Sequence, residues 1–265
     1  MGLSKQEHAN YAKHGYVVPE YKLPPPQLER LRLALDEVIA SNPDVRPEKL
    51  VSVHIPGRNA EGIVGHQAFM DIASDPAILD LVEALIGPNI VLWGCQAFCK
   101  PGGDGFEVPW HQDGHYWPIR PLANCSVWIA LDDSVIENGC LRVLAGSHQA
   151  QELHQHYVDD REDLTLTSAI EPGYMQGHEV VDVELRAGEM SLHDVYMVHG
   201  SNPNRSPKRR AGLAIRYMPA SSVFRRDLYD PTDSSGFLVD FSTRPLWLLR
   251  GQDQSEQNDF QVGHG

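Results

Sequence analysis

The segment VPWHQDGHYWPI places His111 and Asp113 two positions apart. In an extended strand alternate side chains share a face, so a His-x-Asp step can aim an imidazole and a carboxylate at one point. Such a pair suits a divalent metal and leaves the ion short of at least one more ligand. The candidate for that place is His199, which closes the apolar run EMSLHDVYMVHG before a turn-rich loop. Two imidazoles and one carboxylate on one face of an octahedron leave three positions open, the arrangement through which non-haem iron(II) admits both a co-substrate and O2. Eleven residues beyond His199, Arg210 opens another strand-like run, AGLAIRY. A buried guanidinium fork matches the two oxygens of a carboxylate. Arg210 is therefore suited to clamp the far end of a dicarboxylic co-substrate whose near end lies on the metal. Its neighbours Arg205, Lys208 and Arg209 read as solvated members of a basic loop. The His-x-Asp step is unspecific by itself, because a chain with 13 histidines will contain such steps by chance.

Other chemistry-bearing residues have plainer readings. His115, Tyr116 and Trp117 follow the metal motif and suit either a substrate pocket or aromatic packing. His193 lies six residues before His199; strand alternation puts both on one face, either as a hydrogen-bonded core residue or as support to the metal ligands. His8, His14, His154, His156 and His264 read as solvated. Cys95, Cys99, Cys125 and Cys140 are too few and too irregularly spaced for a disulfide framework, and they read as small buried residues. Neither a phosphate-binding glycine loop nor a Gly-x-Ser-x-Gly elbow is present, so nucleotide binding and serine hydrolysis lack support.

The elements that must position these residues change in texture along the chain. Gln6 to His14 is a short amphipathic helix ending at Gly15. The prolines at 24–26 lead into LERLRLALDEVIA, whose apolar residues recur at helical period. DPAILDLVEALIG makes a further helix, with Asp75 as N-cap and Gly87-Pro88 as its stop. Residues 1–88 are thus mostly helical. From residue 89 short runs rich in β-branched and aromatic residues alternate with Gly, Pro and Asn, the pattern of a sandwich or barrel. Residues 149–178 interrupt them with a polar stretch long enough to act as a lid, which predicts disorder there when the site is empty. Residues 221–265 form an irregular tail. The whole reads as one domain of 265 residues, long enough to bury its own core.

Composition bounds the function. Hydrophobic residues make up 42% and charged residues 22%, ordinary for a globular protein. The formal charge of −14 opposes a phosphate backbone, so no nucleic-acid partner is expected. The sequence contains no apolar run long enough to span a bilayer, and the N-terminus lacks a secretory signal, so no membrane association and a cytoplasmic location are expected. Oligomeric state is not legible.

The segments HQDGHYWPIRPLANCSVWIAL, ENGCLRVLAGSH and VHGSNPNRSPKRRAGLAIRY resemble the phytanoyl-CoA dioxygenase family of Fe(II)/2-oxoglutarate oxygenases. The resemblance runs from about residue 10 to the early 220s and is densest between 85 and 220. It implies a mainly β protein with flanking α-helices, built on a double-stranded β-helix (jelly-roll, cupin-like) core over residues 89–220. The metal would be Fe(II), held by His111, Asp113 and His199, with 2-oxoglutarate as co-substrate and O2 as oxidant. By resemblance Ser201 stands beside the Arg210-bound carboxylate, and Gln112, Trp128 and Gln96 line the co-substrate site. A more N-terminal contact falls near His54 and Asn59, without a choice between them. Because Asp113 is a carboxylate, the resemblance favours hydroxylation over halogenation. It implies an enzyme that hydroxylates an unactivated C–H bond of a small, polar molecule and releases succinate and CO2. An acyl-CoA or natural-product substrate is the alternative, as is a catalytically idle metal-binding barrel. Arg225, Arg226 and Arg244 are candidates for an anionic substrate group, though each also reads as a surface or salt-bridge residue.

Overall fold

The computed structural model describes residues 2–229 and 239–264. Its frame is a pair of facing antiparallel sheets. The larger has the order Tyr16–Val17, Met190–Asp194, Cys125–Ala130, Arg210–Pro219, Ile90–Lys100, Trp247–Arg250, with Leu50–Val51 also paired to the Ile90–Lys100 strand. The smaller runs Val180–Val183, Leu141–Leu144, Val198–Ser201, Val108–Gln112. Strands distant in sequence are neighbours in space, as in a jelly roll, whose two sheets leave a mouth at one end.

Alternation along the strands explains the packing. Val127, Ile129, Leu213, Ile215 and Tyr217 point outward from the larger sheet and join Leu31, Leu35, Phe69, Ile78 and Val82 of the helices in one core. Trp128, Ala130 and Ala214 point inward to Leu141, Val143 and Val183 of the smaller sheet. The larger sheet is therefore covered on both faces, and its strands read as continuous apolar runs. Where the inner strands pass closest, Gly212 is required: a Cβ there would lie 2.1 Å from Trp128 Cζ2.

The helices form as their sequences predict. Lys5–His14 begins with a capping box between Ser4 and Glu7 and ends on left-handed Gly15. Pro25–Ser41 starts with proline, and Pro76–Ile86 is capped by the Asp75 side chain. The Gln67–Ala73 helix was not anticipated, and neither was the pairing of Trp247–Arg250 with Ile90–Lys100 from within the irregular tail. The segment 149–178 differs from the expected free loop. It carries a hairpin of His156–Val158 with Ser168–Ile170, the Tyr116 hydroxyl donates to the Ser168 carbonyl (2.9 Å), and Thr165 Oγ1 donates to the Glu107 carbonyl (3.1 Å). It forms part of the cavity wall, through Thr165 and Leu166.

Candidate active site

His111 lies on the Val108–Gln112 strand, His199 lies opposite it in register on Val198–Ser201, and Asp113 begins the short turn after His111. Sheet pairing thus brings the distal histidine to the His-x-Asp step. One ligand atom from each of the three lies within 4.8 Å of the others. All three side chains are buried, His111 at 3% exposure.

The donor set fits a cation. His111 Nδ1 is 2.8 Å from the Pro109 carbonyl and His199 Nδ1 is 3.0 Å from the Met197 carbonyl. A ring nitrogen beside a carbonyl must carry the proton, so each Nε2 presents its lone pair. Those two atoms approach Asp113 Oδ1 at 3.5 and 3.9 Å. Two lone pairs and a carboxylate oxygen converging in a buried space repel one another unless a cation lies between them. The other carboxylate oxygen, Oδ2, accepts from Ser126 Oγ (3.2 Å), which accepts from Asn124 Nδ2 (3.1 Å), and Asn124 Oδ1 accepts from Trp93 Nε1 (2.7 Å). This relay fixes the carboxylate plane and leaves Oδ1 for the metal. Burial alone would push the Asp113 carboxyl up. The neighbouring His199, His111 and His193 and the Arg216 charge outweigh it and hold the group well below the usual carboxylate range. Burial, then His111, keeps His199 well below the usual imidazole range, hence neutral and able to ligate. His193 Nε2 lies 3.6 Å from Asp113 Oδ2, while its Nδ1 has no hydrogen-bond partner. Of its two readings, proximity to the ligand carboxylate prevails over hydrogen bonding within the core.

A cavity of about 300 Å³ connects this triad to the remaining predicted residues. Trp128, Gln96, Ser201 and Arg210 line it. Arg210 is buried; Nε donates to the Gly139 carbonyl (3.1 Å), Nη1 to the Phe98 carbonyl (3.3 Å) and Nη2 to Ser201 Oγ (3.3 Å). Lys100, opposite Arg210 in register, donates to the same Ser201 Oγ at 2.6 Å. Among the described residues neither cation has a carboxylate within ion-pair distance. Burial, then Arg210, pushes Lys100 well below the usual ammonium range, while burial lowers Arg210 to about 10, so the guanidinium stays charged at neutral pH. Ser201 Oγ accepts from two cations, so its own proton is available to an acceptor in the cavity. The arrangement is complementary to a carboxylate, as a dicarboxylic co-substrate requires.

Gln112 is a correction. It does not line the cavity; its amide donates to the Glu152 (2.9 Å) and Tyr196 (2.7 Å) carbonyls and accepts from His154 N (2.7 Å). Strand alternation turns it away from its neighbours His111 and Asp113, and it pins segment 149–178 instead. Gln96 is in the cavity, with Oε1 accepting from Arg216 Nη2 (3.0 Å). Neither His54 nor Asn59 lines it. His54 packs edge-on against Trp247 with both ring nitrogens unbonded, and Asn59 braces its own loop. His156, expected in solvent, stacks on His115 at 3.9 Å and accepts from Gln112 N. Arg225 pairs with Asp227 outside the cavity, Arg226 donates to carbonyls of the tail, and Arg244 lines the cavity wall. Lys100 and Arg216 were missed. The only sequence signal for Arg216 is a lone cation within an apolar strand.

Fold and site together define a class: the non-haem iron oxygenases that use 2-oxoglutarate and are built on a double-stranded β-helix. The chain belongs to the phytanoyl-CoA dioxygenase family, whose model, described as Phytanoyl-CoA dioxygenase (PhyH), matches residues 11–212. A "Phytanoyl-CoA dioxygenase domain-containing protein 1 homolog" of Dictyostelium discoideum is 32% identical over 153 residues, which is 57% of this chain and 54% of that protein. The chain thus spans about half the length of that relative. Among solved structures, the apo form of the non-haem monooxygenase ThoJ is 25% identical with a TM-score of 0.68, over 94% of this chain and 85% of that one. EctD from S. alaskensis with 2-oxoglutarate and 5-hydroxyectoine, 20% identical, shares the fold with a TM-score of 0.65 over 83% and 77% of the two chains. No helix among the described residues is long and apolar enough to cross a membrane.

Proposed function

We propose that the chain hydroxylates an unactivated C–H bond of a small, polar organic substrate, converting substrate, 2-oxoglutarate and O2 to alcohol, succinate and CO2. The observation that carries this reading is the buried Arg210, charged and without a carboxylate partner among the described residues, in the same cavity as the triad. A metal-binding barrel with no co-substrate would have no use for that charge, and burying an unpaired cation is costly. When bound, iron and 2-oxoglutarate together supply the oxidising chemistry, one atom of O2 ending in succinate and the other in the alcohol.

The chain's own residues do the rest. His111 and His199 offer lone pairs, Asp113 offers Oδ1, and Ser126 holds the carboxylate in that orientation. Arg210 and Ser201 take the far carboxylate of the co-substrate and so fix its near end at the metal. Trp128, with its ring 5.3 Å from the Arg210 guanidinium, walls the co-substrate from water. On the other side Trp93, Tyr116, Trp117 and Phe241 form an apolar wall for substrate. The cavity volume of about 300 Å³ lies at the small end of ligand sites and favours a small substrate over an acyl-CoA.

The test is succinate formation from 2-oxoglutarate with added iron(II) and ascorbate, before any substrate is known. Turnover is expected in the native protein and absent in His111→Ala. Equal succinate formation by His111→Ala would remove the assignment of the metal, and an unchanged 2-oxoglutarate requirement in Arg210→Ala would remove that of the co-substrate.

A further inference from the structure

Arg210 has a counterpart on its own strand. Arg216 lies six residues further along Arg210–Pro219, an even step, so it enters the same cavity from the same face. Its stem lies over Gly94, where a Cβ would be 3.6 Å from Arg216 Cδ. Opposite it the Ile90–Lys100 strand shifts register, pairing Arg216 with Gly94 and Tyr217 with Leu92 and leaving Trp93 over. A bulge of this kind re-aims side chains, and here Trp93 and Gly94 both line the cavity. The Arg216 guanidinium sits 5.2 Å from the Trp117 ring centre and 5.8 Å from that of Trp93.

The charges around Arg216 do not balance. Its Nη2 donates to Gln96, a neutral amide, and its Nε has no hydrogen-bond partner. Arg244 lines the same wall, but it is paired: Nη2 meets Glu61 at 2.6 Å and Nη1 bonds Ser52 Oγ. Asp113 lies close enough to feel Arg216, yet its charge belongs to the metal. Two guanidinium groups therefore share one free carboxylate, Glu61, and among the described residues no acid forms an ion pair with Arg216. A cation held between indole rings in a buried cavity, with an unused N–H, is built for an anion.

We propose that Arg216 anchors an anionic group of the substrate: the cavity takes a small organic acid whose compact oxyanion (carboxylate, phosphonate or sulfonate) meets Arg216 while its apolar body lies along Trp93, Trp117 and Phe241. This deepens the proposed reaction and rests on it for the word substrate. The subsite itself rests only on the cavity. Holding the acid at Arg216 orients the rest of the molecule relative to the triad and determines which carbon faces the metal.

The test uses the full chain loaded with Ni(II), which binds the same ligands without turnover, and saturated with 2-oxoglutarate so that Arg210 is occupied. Phenylacetate, phenylphosphonate and the neutral isostere phenylacetamide are titrated by calorimetry. At least one acid is expected to bind about tenfold or more tightly than the amide. Arg216→Gln should abolish that difference while 2-oxoglutarate affinity stays within about threefold, and Arg216→Lys should restore part of it. Equal binding of acids and amide by the native protein, no saturable acid binding, or full acid preference in Arg216→Gln would each overturn the proposal. Should Arg216→Gln fail to fold, the native acid–amide difference and Arg216→Lys decide the question. If 2-oxoglutarate itself does not bind, the reaction falls, and the acid–amide difference measured without it still decides the subsite.

Discussion

Replacing Arg210 by alanine should weaken 2-oxoglutarate binding by a factor that can be worked out from the donor count. A guanidinium carries five N–H donors. Three are taken, by the carbonyls of Gly139 and Phe98 and by Ser201 Oγ. The two that remain sit one on each terminal nitrogen, the pair that meets both oxygens of a carboxylate. Hydrogen bonds to charged groups contribute about 1.5–3 kcal/mol each. Their joint loss is therefore about 3–6 kcal/mol, or roughly two to four decades in Kd at about 1.4 kcal/mol per decade. The assay is calorimetric titration of 2-oxoglutarate into iron(II)-loaded protein without oxygen, at pH 7.5, with metal binding measured alongside. Metal affinity should hold, because Arg210 makes none of its hydrogen bonds with the triad. Arg210→Lys keeps the charge without the planar fork and should recover only part of the affinity. The guanidinium, at about 10, is still protonated at pH 7.5, so native affinity should not vary between pH 7 and 8.5 on its account. A change below about threefold in Arg210→Ala, with circular dichroism unaltered, would refute the clamp.

Three further outcomes are expected. Gln112→Ala should leave 2-oxoglutarate and metal affinity within about threefold while speeding hydrogen exchange at residues 152–156, because it removes the bonds to Glu152 and His154; a larger loss of co-substrate affinity would return Gln112 to the cavity. Gly212→Ala forces a Cβ to within 2.1 Å of Trp128 and should cost about 1–3 kcal/mol, read as a lowered thermal midpoint with altered tryptophan fluorescence; an unchanged midpoint would contradict the close approach. Burial, then the charges of Arg244 and Arg216, lowers His54 from 6.5 to about 3. The unfolded chain takes up that proton as pH falls through 6.5 and the folded chain does not until about 3, so stability is full above 6.5 and lost on acidification, by about 2 kcal/mol at pH 5. Denaturant midpoints of native protein and His54→Leu from pH 7.5 to 5 measure this, and parallel slopes would sink it.

What was legible in the sequence follows from the range of the interactions. The His111–Asp113 step and the helix ends at Gly15, Asp75 and Gly87 are local, set by strand alternation and capping, and they appear as spacing. His199 and Arg210 close and open strands, which made them candidates, but the resemblance to a family was needed to join them to the step. The partners that complete the site come from strands paired across long stretches of chain. Lys100 sits in FCKPGG, where it reads as a turn lysine, and only pairing with Arg210–Pro219 brings it to Ser201. The Trp93–Asn124–Ser126 relay to Asp113 likewise spans separate strands and leaves no motif. Gln112 was misplaced because resemblance carries residue identity and not the direction of a side chain, which the two-residue strand period decides.

The Arg210–Pro219 strand has an evolutionary consequence. Adding or deleting one residue between Arg210 and Arg216 would turn one guanidinium out of the barrel and an apolar neighbour in. That interval should therefore admit substitutions but no insertions or deletions, while the loops around it drift in length. Within such a lineage Arg216 could be exchanged for another side chain, changing which molecules are accepted, without disturbing the anchor six positions earlier. One strand would then keep the shared half of the reaction constant and leave the other half open to selection.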